Sequence, residues 1–401
     1  MSEAAARADP VLADPLPVDV DVAIIGAGPL GMTLALALAE TSARVVLIDA
    51  GAPGAAGDDP RALALAYGSR QLLERLGAWN GDVATAIAQI HISQRGGFGR
   101  TLIDADDYDS PALGYVMRYR ELVAALAARL PAQQRLHQCR VEAIEMTADN
   151  AALTLALRHA GVARTLCARL VVHAEGTPED GPGVRVRDYQ QRAIVAELRP
   201  ARRHNNRAWE RFTPEGPLAL LPLGAAYALV LAVPPATAER LLALDDEAFL
   251  AALHERIGGR VDFSSSGPRA SYPLALRSRD AVTAPRQAWI GNSAQTLHPV
   301  SGQGMNLGLR DAWELGALLI DALDSADPDP GAPGVLAAYA RSRRVDRQAS
   351  MVFTDGIVRL FSNDLPPLRA ARGIGLLALD LVPPLRHFVA KRMIWGARAW
   401  P

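Results

Sequence analysis

The stretch that decides the fold is VDVAIIGAGPLG, residues 20 to 31. Its first six residues are rich in β-branched side chains and predict a short buried strand. The glycines that follow, Gly26, Gly28 and Gly31, form the pattern GxGxxG. In this pattern the first glycine allows a tight turn, the second leaves room for a pyrophosphate, and the third lets the helix pack closely on its strand. The stretch therefore predicts a Rossmann-like dinucleotide site.

A helix and a second strand complete this unit. Pro29 suits the first turn of a helix, where a missing N–H costs nothing, and the free amides at the helix N-terminus attract phosphates. Asp49 stands at the end of the second strand, where a carboxylate in this motif holds a ribose hydroxyl. Because an acid at this position disfavours a 2′-phosphate, we expect FAD or NAD here and not NADP.

The composition narrows the class of protein. The 401 residues are 50% hydrophobic with a net charge of −1, which gives no reason to expect nucleic-acid binding. Cys139 and Cys167 form no CxxC pair and the eight histidines show no ligand spacing, so we expect neither a metal site nor a disulfide framework. Residues 1–17 suggest a loose lead-in and not a signal peptide, and no apolar run approaches the roughly 20 residues of a bilayer span. These features predict a cytoplasmic protein.

Arginines stand out in the segments after the first unit. Arg61 precedes a predicted helix that runs to residue 79, and it is either a solvated first-turn cation or a contact to cofactor phosphates. A second helix is predicted from Tyr115 to Leu130. Arg118 and Arg120 stand at its start, where cations are unfavourable to the helix dipole, so each is either a ligand contact or a solvated side chain.

The middle of the chain predicts a second lobe. Residues 140–145, 153–157 and 166–173 are typical of short strands in a meander beside the main sheet. From residue 178 to residue 273 the pattern changes to longer alternating segments, as in an antiparallel sheet that faces a ligand. The segment 245–257 has apolar residues at helical spacing, and we expect it to cover this sheet. The second lobe is therefore predicted to be inserted between parts of the nucleotide domain.

A second glycine stretch, GNSAQTLHPVSGQGMN over residues 291–306, lies between a predicted strand and a predicted helix. Gly302 and Gly304 let backbone amides approach a flat ligand and direct the positive end of the helix at it. A reduced flavin carries negative charge on its pyrimidine edge, so this end favours the reduced state. Asn292 is a candidate for bonding a ribityl hydroxyl. Since an NAD enzyme has no use for this turn, the pair of motifs indicates FAD.

These residues resemble a known family. GAGPLG, Asp49, the sequence ALAL after Arg61, NNRAWERFTPEGP over 205–217 and GNSAQTLHPVSGQGMNLGLRD over 291–311 are similar to the class A FAD-dependent aromatic hydroxylases. The likeness covers residues 19–347 and is greatest to the ubiquinone-biosynthesis branch, near the 2-polyprenyl-6-methoxyphenol hydroxylases. It implies an α/β (α+β) fold like that of para-hydroxybenzoate hydroxylase. The FAD-binding domain would comprise 18–75, 105–178 and 275–345, the antiparallel substrate domain 76–104 and 179–274, and a C-terminal helical segment 346–401.

The resemblance also implies a cofactor site and a reaction. FAD would be held by Gly26, Gly28, Gly31 and Asp49 with Arg61 and Arg120 as further contacts, and its ribityl chain and ring would be cradled by Asn292, Gly302, Gly304, Met305 and Asn306. The implied enzyme is a monooxygenase that uses NAD(P)H and O₂, by way of a flavin hydroperoxide, to hydroxylate a polyprenylated phenol in ubiquinone biosynthesis. The family lacks a second Rossmann fold to identify the pyridine nucleotide.

Two positions leave the chemistry open. The family's middle motif is Asp-Gly followed by a Ser and an Arg, whereas this chain has Glu175-Gly176-Thr177 and lacks the Ser, which leaves the approach of NAD(P)H undetermined. His298 is either an acceptor for the phenol proton or a structural group that orients the glycine loop. The alternatives to the predicted reaction are hydroxylation at another ring position, a flavin-dependent prenyl-lipid reductase, and a non-catalytic scaffold subunit that binds FAD.

The C-terminal residues 386–400 interleave basic and aromatic side chains, a basic amphipathic composition. They either dock on lipid headgroups or pack against the protein itself or another ubiquinone-biosynthesis protein. In the first case the protein would be peripheral on the inner face of the cytoplasmic membrane.

Overall fold

A computed structural model describes residues 19–54, 57, 59–131, 134–362 and 365–395. In these ranges the helices are α1 (Pro29–Ala37), α2 (Tyr67–Arg75), α3 (Tyr119–Ala127), α4 (Pro235–Leu242), α5 (Asp246–Ile257), α6 (Gln303–Leu323), α7 (Pro333–Phe361), α8 (Pro366–Leu381) and α9 (Pro383–Trp395). The strands of the first half are β1 (Val20–Ile25), β2 (Val45–Ile48), β3 (Ala62–Ala66), β4 (Thr85–Ile87), β5 (Gln89–Gln94), β6 (Arg100–Asp104), β7 (Gly114–Arg118), β8 (Arg135–Leu136), β9 (Cys139–Met146), β10 (Leu153–His159) and β11 (Val162–His173). Those of the second half are β12 (Val184–Pro200), β13 (Arg207–Thr213), β14 (Gly216–Leu223), β15 (Ala226–Val233), β16 (Phe263–Ser266), β17 (Ala270–Arg279), β18 (Thr283–Ala284), β19 (Gln287–Trp289) and β20 (Gln295–Thr296).

The first sheet contains the predicted Rossmann unit. Its parallel part runs in the order β19-β11-β1-β2-β8, and β18 adds to its edge in the antiparallel sense. Successive side chains of a strand point to opposite faces. Val22 and Ile24 accordingly pack toward α1, α3 and α6, while Ala23 packs on the other face against the meander β9-β10-β11. A strand buried on both faces is mostly apolar, which explains the composition of β1 apart from Asp21.

The second sheet forms the other lobe and runs in the order β20-β17-β12-β15-β14-β13-β5-β6, with β16 on β12. Its outer face packs against α4 and α5, where Phe249, Leu253 and Ile257 are buried as predicted. Residues 76–104, which were expected in the substrate domain, supply β5 and β6 to this sheet and β4 to another one. Strand β17 runs from 270 to 279 and so crosses the expected boundary at residue 274.

The third sheet, β3-β7-β4, joins the two lobes and corrects one prediction. The helix expected from Tyr115 begins at Tyr119, because Gly114–Arg118 forms β7 between β3 and β4. Tyr115, Val116 and Met117 are all buried there, and aromatic and β-branched residues suit a central strand. Pairing with a strand some 50 residues earlier is a non-local contact, which helical periodicity does not reveal.

The C-terminal helices α8 and α9 pack across β6 and α2. Among the described residues no single helix has the length and apolar character to cross a membrane, although Pro367–Leu381 with Pro383–Arg392, bent by 96°, meets those criteria as a pair. The expected lead-in of residues 1–17, and Arg398 and Trp400 of the basic amphipathic segment, lie outside the described residues.

Candidate functional site

The first glycine turn joins β1 to α1, and its glycines serve different purposes. Gly26 has a φ of +103°, and a Cβ there would lie 2.6 Å from the Ala174 carbonyl carbon. A Cβ on Gly31 would lie 2.0 Å from the Gly26 oxygen. By contrast, a Cβ on Gly28 would meet only the Tyr119 hydroxyl, at 3.5 Å. Gly26 and Gly31 are therefore required by the chain itself, while Gly28 leaves open space at the helix N-terminus.

Asp49 lies beside this turn and holds it. The Ala27 N–H donates to Asp49 Oδ2 at 2.7 Å, and the Gly51 N–H donates to Oδ1 at 2.7 Å. Each carboxylate oxygen can accept further hydrogen bonds, so a ribose hydroxyl remains compatible with this arrangement. Asp49 and Gly26 also line a cleft of 660 Å³ that extends over β9 to His173 and Glu175.

Arg61 lies near the same turn but not at the start of a helix. It directly precedes β3, so the interpretation as a solvated first-turn cation is wrong. Its guanidinium binds the Asp59 carboxylate, with Nε 2.9 Å from Oδ1, and lies 4.8 Å from the centre of the Tyr119 ring. The hydrogen bond with Asp59 raises the pKa of Arg61. Since the Tyr119 hydroxyl faces Gly28, the Arg61–Tyr119 pair lies beside the opening at the turn.

Arg120 lies in the first turn of α3 and lines a second cleft, of 490 Å³. Ala27 of the glycine turn and Met32 of α1 line the same cleft. Arg118, the other arginine singled out here, instead pairs with Glu197 of the substrate sheet, its Nε 2.6 Å from Oε1. Of the two arginines, Arg120 is thus the one beside the nucleotide turn.

The two glycine stretches meet at Leu30, a contact that sequence reasoning missed. A Cβ on Gly291 would lie 1.9 Å from Leu30 Cδ1, and a Cβ on Gly308 would lie 2.4 Å from the same atom. Leu30 of GAGPLG therefore packs into a recess that only these two glycines can form. In the sequence, the glycines at positions 291 and 308 of the second motif are the feature that could have indicated this recess.

The second glycine loop presents an open backbone at the N-terminus of α6. Gly302 has a φ of +59°, which favours glycine, and a Cβ there would approach Ala64 of β3 at 3.4 Å. A Cβ on Gly304 would meet nothing within 4 Å. Met305 packs against the Rossmann core. The N-terminus of α6 thus lies beside β3, and its first amides are unobstructed at Gly304.

Asn306 and Asn292 have different surroundings. The Asn306 amide is buried and makes four hydrogen bonds within the protein: it accepts from the Ala66 N–H and the Ser69 hydroxyl, and donates to the carbonyls of Ala64 and Gly302. Its side chain therefore contributes by holding the loop against β3. Asn292 is half-buried in the 3₁₀ turn Gly291–Ser293, at the end of β19. It remains the better candidate for a side-chain contact to a ribityl hydroxyl.

His298 is buried at the base of the loop. The Val300 N–H donates to Nδ1 at 3.1 Å, which leaves the ring proton on Nε2, 3.3 Å from Gln191 Oε1. Burial lowers the pKa of His298 to about 4, so the ring is neutral at pH 7. Both ring nitrogens are thus engaged with the protein, which favours a role in orienting the loop over one in accepting a proton.

A buried ionic network supports the second glycine loop, and the sequence analysis did not predict it. Asp311 Oδ2 accepts from the Gly291 N–H at 3.0 Å and from Gln295 Nε2 at 2.8 Å, and Oδ1 accepts from Arg343 Nε at 2.7 Å. Arg343 also binds Asp346, 2.7 Å away. Asp311 and Arg343 are each 1% exposed. An acid and an arginine 32 positions apart give no local pattern.

The middle motif lies between these two sites. His173 ends β11 with its Nδ1 3.1 Å from Glu175 Oε1, and its ring stacks on Trp289 at 4.7 Å. The Thr177 hydroxyl is 3.2 Å from that of Thr296, in the second glycine stretch. Glu175 and Thr177 thus connect the Rossmann sheet to the second glycine stretch. They do so although the Ser of the family's middle motif is absent.

The residues present fit FAD by their shape and donors. A Cβ on Gly304 would enter open space, and a Cβ on Gly28 would meet only the Tyr119 hydroxyl. Each of these glycines lies at the start of a helix whose free amides attract negative charge. The contact at Leu30 joins the two positions into one site. A dinucleotide with a flat ring system has this shape, whereas a single nucleotide would use only one of the two turns.

Comparison with known proteins agrees with this geometry. The family described as "FAD binding domain" matches residues 19–353. A ubiquinone hydroxylase, UbiL, of Rhodospirillum rubrum is 37% identical over 396 residues, covering 95% of this chain and 91% of the relative. The 3-demethoxyubiquinol 3-hydroxylase of Escherichia coli is 30% identical over 388 residues, 92% of this chain and 97% of the relative.

Solved structures show the same fold. The p-nitrophenol 4-monooxygenase PnpA from Pseudomonas putida superposes with a TM-score of 0.75 at 16% identity, over 94% of this chain and 98% of that one. The probable FAD-dependent monooxygenase pqsL from Pseudomonas aeruginosa gives 0.71 at 22%, over 89% and 99%. The α/β (α+β) fold expected from the resemblance is confirmed. The chain belongs to the FAD-binding-domain family of flavoprotein monooxygenases.

Proposed function

We propose that this protein is an FAD-dependent monooxygenase that hydroxylates the ring of a polyprenylated phenol in ubiquinone biosynthesis, with NAD(P)H as reductant and O₂ as oxidant. The observation that carries the proposal is the pairing of two open glycine positions, Gly28 and Gly304, in motifs that meet at Leu30. The ubiquinone hydroxylases among its relatives, which it matches over nearly their full length, support the substrate class.

Each part of the site has a distinct role in this proposal. Gly28, with the N-terminus of α1, would receive the pyrophosphate, and Asp49 a ribose hydroxyl. Arg61 and Arg120 would be further contacts to the phosphates. Bound FAD, once reduced, supplies the activation of O₂. The chain's residues bind and orient the ring and keep water from it.

At the ring itself, Gly302, Gly304 and Met305 would bound one face, with Asn292 beside the ribityl chain. The α6 N-terminus would stabilise negative charge on the reduced ring. His298, whose nitrogens are engaged by Val300 and Gln191, would hold the loop at a fixed distance from the substrate sheet. We therefore propose His298 as a positioning residue.

The test is a spectroscopic one. The purified protein should be yellow, and anaerobic bleaching of its flavin by NADH or NADPH should accelerate when a short-chain 2-prenyl-6-methoxyphenol is added. Admission of air should then yield a hydroxylated product by mass spectrometry. A protein that takes up no FAD would contradict the proposal.

The same experiment separates the alternatives. A prenyl-lipid reductase would consume NAD(P)H and reduce its substrate without O₂. A scaffold subunit would bind FAD that neither nucleotide reduces, with or without the phenol. Product identification by NMR gives the ring carbon that is attacked, which decides between hydroxylation sites.

We also propose that α8 and α9 contact the lipid surface in which a polyprenyl substrate resides. Exposed apolar side chains lie along them, with Ile374 61% exposed, Leu381 67% and Phe388 57%. Lys391 and Arg392 are exposed beside them and suit anionic headgroups. On the opposite side of α9, Ala390 and Ile394 are buried, so part of the expected amphipathic segment packs on the protein.

Sedimentation with vesicles tests this surface. Wild-type protein should bind vesicles that contain phosphatidylglycerol more than those of phosphatidylcholine alone. Ile374→Glu with Leu381→Glu should abolish binding without altering flavin content, because both side chains point to solvent. Vesicle binding that is unaffected by these changes would contradict the proposed surface.

A further inference from the structure

The two faces of the nine-stranded sheet differ in how completely they are covered. Ile194, Leu220 and Leu229 on the outer face are fully buried beneath α4 and α5. On the inner face, one row of cross-strand neighbours keeps a partly accessible surface. In order across the sheet, the row consists of Ile92, Glu210, Ala219, Val230 and Val195.

Protein encloses this row on several sides. Two residues after Glu210 on β13, and on the same face, the Phe212 ring stacks on Phe361 of α7 with ring centroids 3.8 Å apart. Two residues after Ala219 on β14, and on the same face, Leu221 packs in a hydrophobic cluster that includes Ala62 of β3. His298 reaches the sheet through Gln191. This partly accessible row therefore lies on the face of the sheet that is turned toward His298 and the second glycine loop.

Glu210 is the ionisable residue of this row. Its neighbours Trp209 and Arg211 point to the other face, where Arg211 Nε donates to the Arg256 carbonyl at 2.9 Å. Glu210 Oε1 is buried and has no hydrogen-bond partner among the described residues. Burial raises the pKa of Glu210 well above its usual value, which favours the neutral carboxylic acid over the carboxylate.

The side chains of this row supply no cation that could neutralise a second acid. The row itself contains no Lys or Arg. Arg118, at the end of β7, is paired with Glu197, its Nη2 2.7 Å from Oε2. Arg187 of β12 is paired with Asp355 of α7 at 3.0 Å. Arg61, before β3, is paired with Asp59. Each of these three arginines thus already carries a carboxylate partner.

We propose that Glu210 is the polar contact for the substrate ring, and that this row of side chains accepts a neutral phenol that carries no carboxylate. This inference rests on the function proposed above. A carboxylic acid can donate to and accept from a phenol hydroxyl at once. A carboxylate on the ring would be buried against Ala219, Val230 and Ile92 without a cation, which is strongly unfavourable. The same apolar side chains suit alkyl substituents.

Binding to the oxidised holoenzyme tests the proposal, read from the change in flavin absorbance. The probes are a short-chain 2-prenylphenol and the same phenol with a para carboxylate. At pH 7 the neutral phenol should bind at least about tenfold more tightly than its acid. Glu210→Leu should weaken binding of the neutral phenol about tenfold, and Glu210→Gln less than about threefold, because the amide still donates and accepts.

Controls locate the effect. Glu239→Gln, an exposed position of α4 on the other face of the sheet, should leave both affinities unchanged. Ala219→Leu, next to Glu210 in the row, should weaken phenol binding while flavin content stays the same. Equal affinity of the two probes, or a Glu210→Leu enzyme with wild-type affinity for the phenol, would overturn the proposal. A wild-type enzyme that binds the phenol but never oxidises it would contradict the proposed function, and the binding comparison would still test Glu210.

Thermal unfolding of the protein without added phenol gives an independent readout. The unfolded chain ionises Glu210 near pH 4.5, whereas the folded protein keeps its proton to higher pH. The stability of the wild type should therefore fall relative to Glu210→Gln as the pH rises from 5 to 8. A melting-temperature difference that stays constant over this range would show that Glu210 is not held neutral in the fold.

Discussion

The two glycine loops face the same proposed cofactor but use glycine for different reasons. In the first loop, Gly26 and Gly31 are required because the chain passes over itself, with a Cβ on Gly31 falling 2.0 Å from a carbonyl oxygen. In the second loop, Gly304 has nothing within 4 Å of its Cβ position. Some glycines of a cofactor motif are therefore needed for the fold itself, while others leave space for a ligand. A stability measurement without the ligand separates the two kinds.

The supports of the loops differ as well. Asp49 holds the first loop from a half-buried position, while Asp311 holds the second from inside a buried network with Arg343 and Asp346. Removing one partner of a buried ion pair leaves a charge uncompensated in a medium of low polarity. The second loop should therefore be the more sensitive of the two to loss of its acid.

The largest effect is expected for Asp311→Asn. The change removes the charge that faces Arg343 and should reduce the free energy of unfolding by about 3 to 5 kcal/mol. Urea unfolding of the flavin-free protein measures it. Asp49→Asn serves as the matched control and should cost far less, because that carboxylate is partly exposed to solvent. Equal losses in the two variants would remove the distinction between the loops.

The next largest effect is expected for Gly31→Ala. Its added methyl group overlaps a backbone oxygen that cannot move without distorting the turn, so we expect a loss of about 3 kcal/mol or more. The measurement is thermal unfolding without FAD, with Gly28→Ala as the control in the same turn. Gly28→Ala should keep its stability and lose FAD affinity. A stable Gly31→Ala protein would mean that the turn is built differently.

His298 gives the second loop a pH dependence that the first, which contains no histidine between residues 20 and 49, does not have. Its pKa is lowered by burial from 6.5 to about 4. The unfolded chain therefore binds a proton that the folded one does not, and stability should fall as the pH drops from 6.5 to 4, by no more than about 3 kcal/mol. His298→Asn, which can still accept from the Val300 N–H, should show a flatter profile in that window. An unchanged slope would exclude His298 as its source.

The smallest effect, and one of opposite sign, is expected for Gly304→Ala. Gly304 lies in the first turn of α6 with open space around it, so alanine should leave the flavin-free protein as stable or up to about 1 kcal/mol more stable. FAD affinity should nevertheless fall, since the methyl group occupies the surface that faces the ring. Isothermal titration with FAD measures it. Affinity equal to that of the wild type would place the ring elsewhere.

Local patterns were enough to predict much of the fold. The strand, the glycine turn and the helix of residues 20–37 follow from a short apolar run and three glycines, and α5 follows from helical spacing of Phe249, Leu253 and Ile257. These features depend on residues close in sequence. Strand β7 was missed because its pairing with β3 depends on distant residues.

The candidate site follows the same rule: its local motifs could be predicted from the sequence, and its non-local contacts could not. Its glycine loops are visible in the sequence, but the contact of Leu30 with Gly291 and Gly308 joins segments some 260 residues apart. The acid–arginine network around Asp311 is likewise non-local. Glu210 did leave a signal, since it alternates with Ala208 and Phe212 and so shares their face of β13. An acid on an otherwise apolar strand face marks a position whose environment deserves measurement.

A single turnover of the reduced holoenzyme with ¹⁸O₂ and a short-chain 2-prenyl-6-methoxyphenol tests directly whether the enzyme transfers oxygen to the ring. The product should carry one ¹⁸O atom on the ring and should form in proportion to the flavin present. Reoxidation of the flavin with no labelled oxygen in the phenol, under conditions where the phenol is bound, would contradict it.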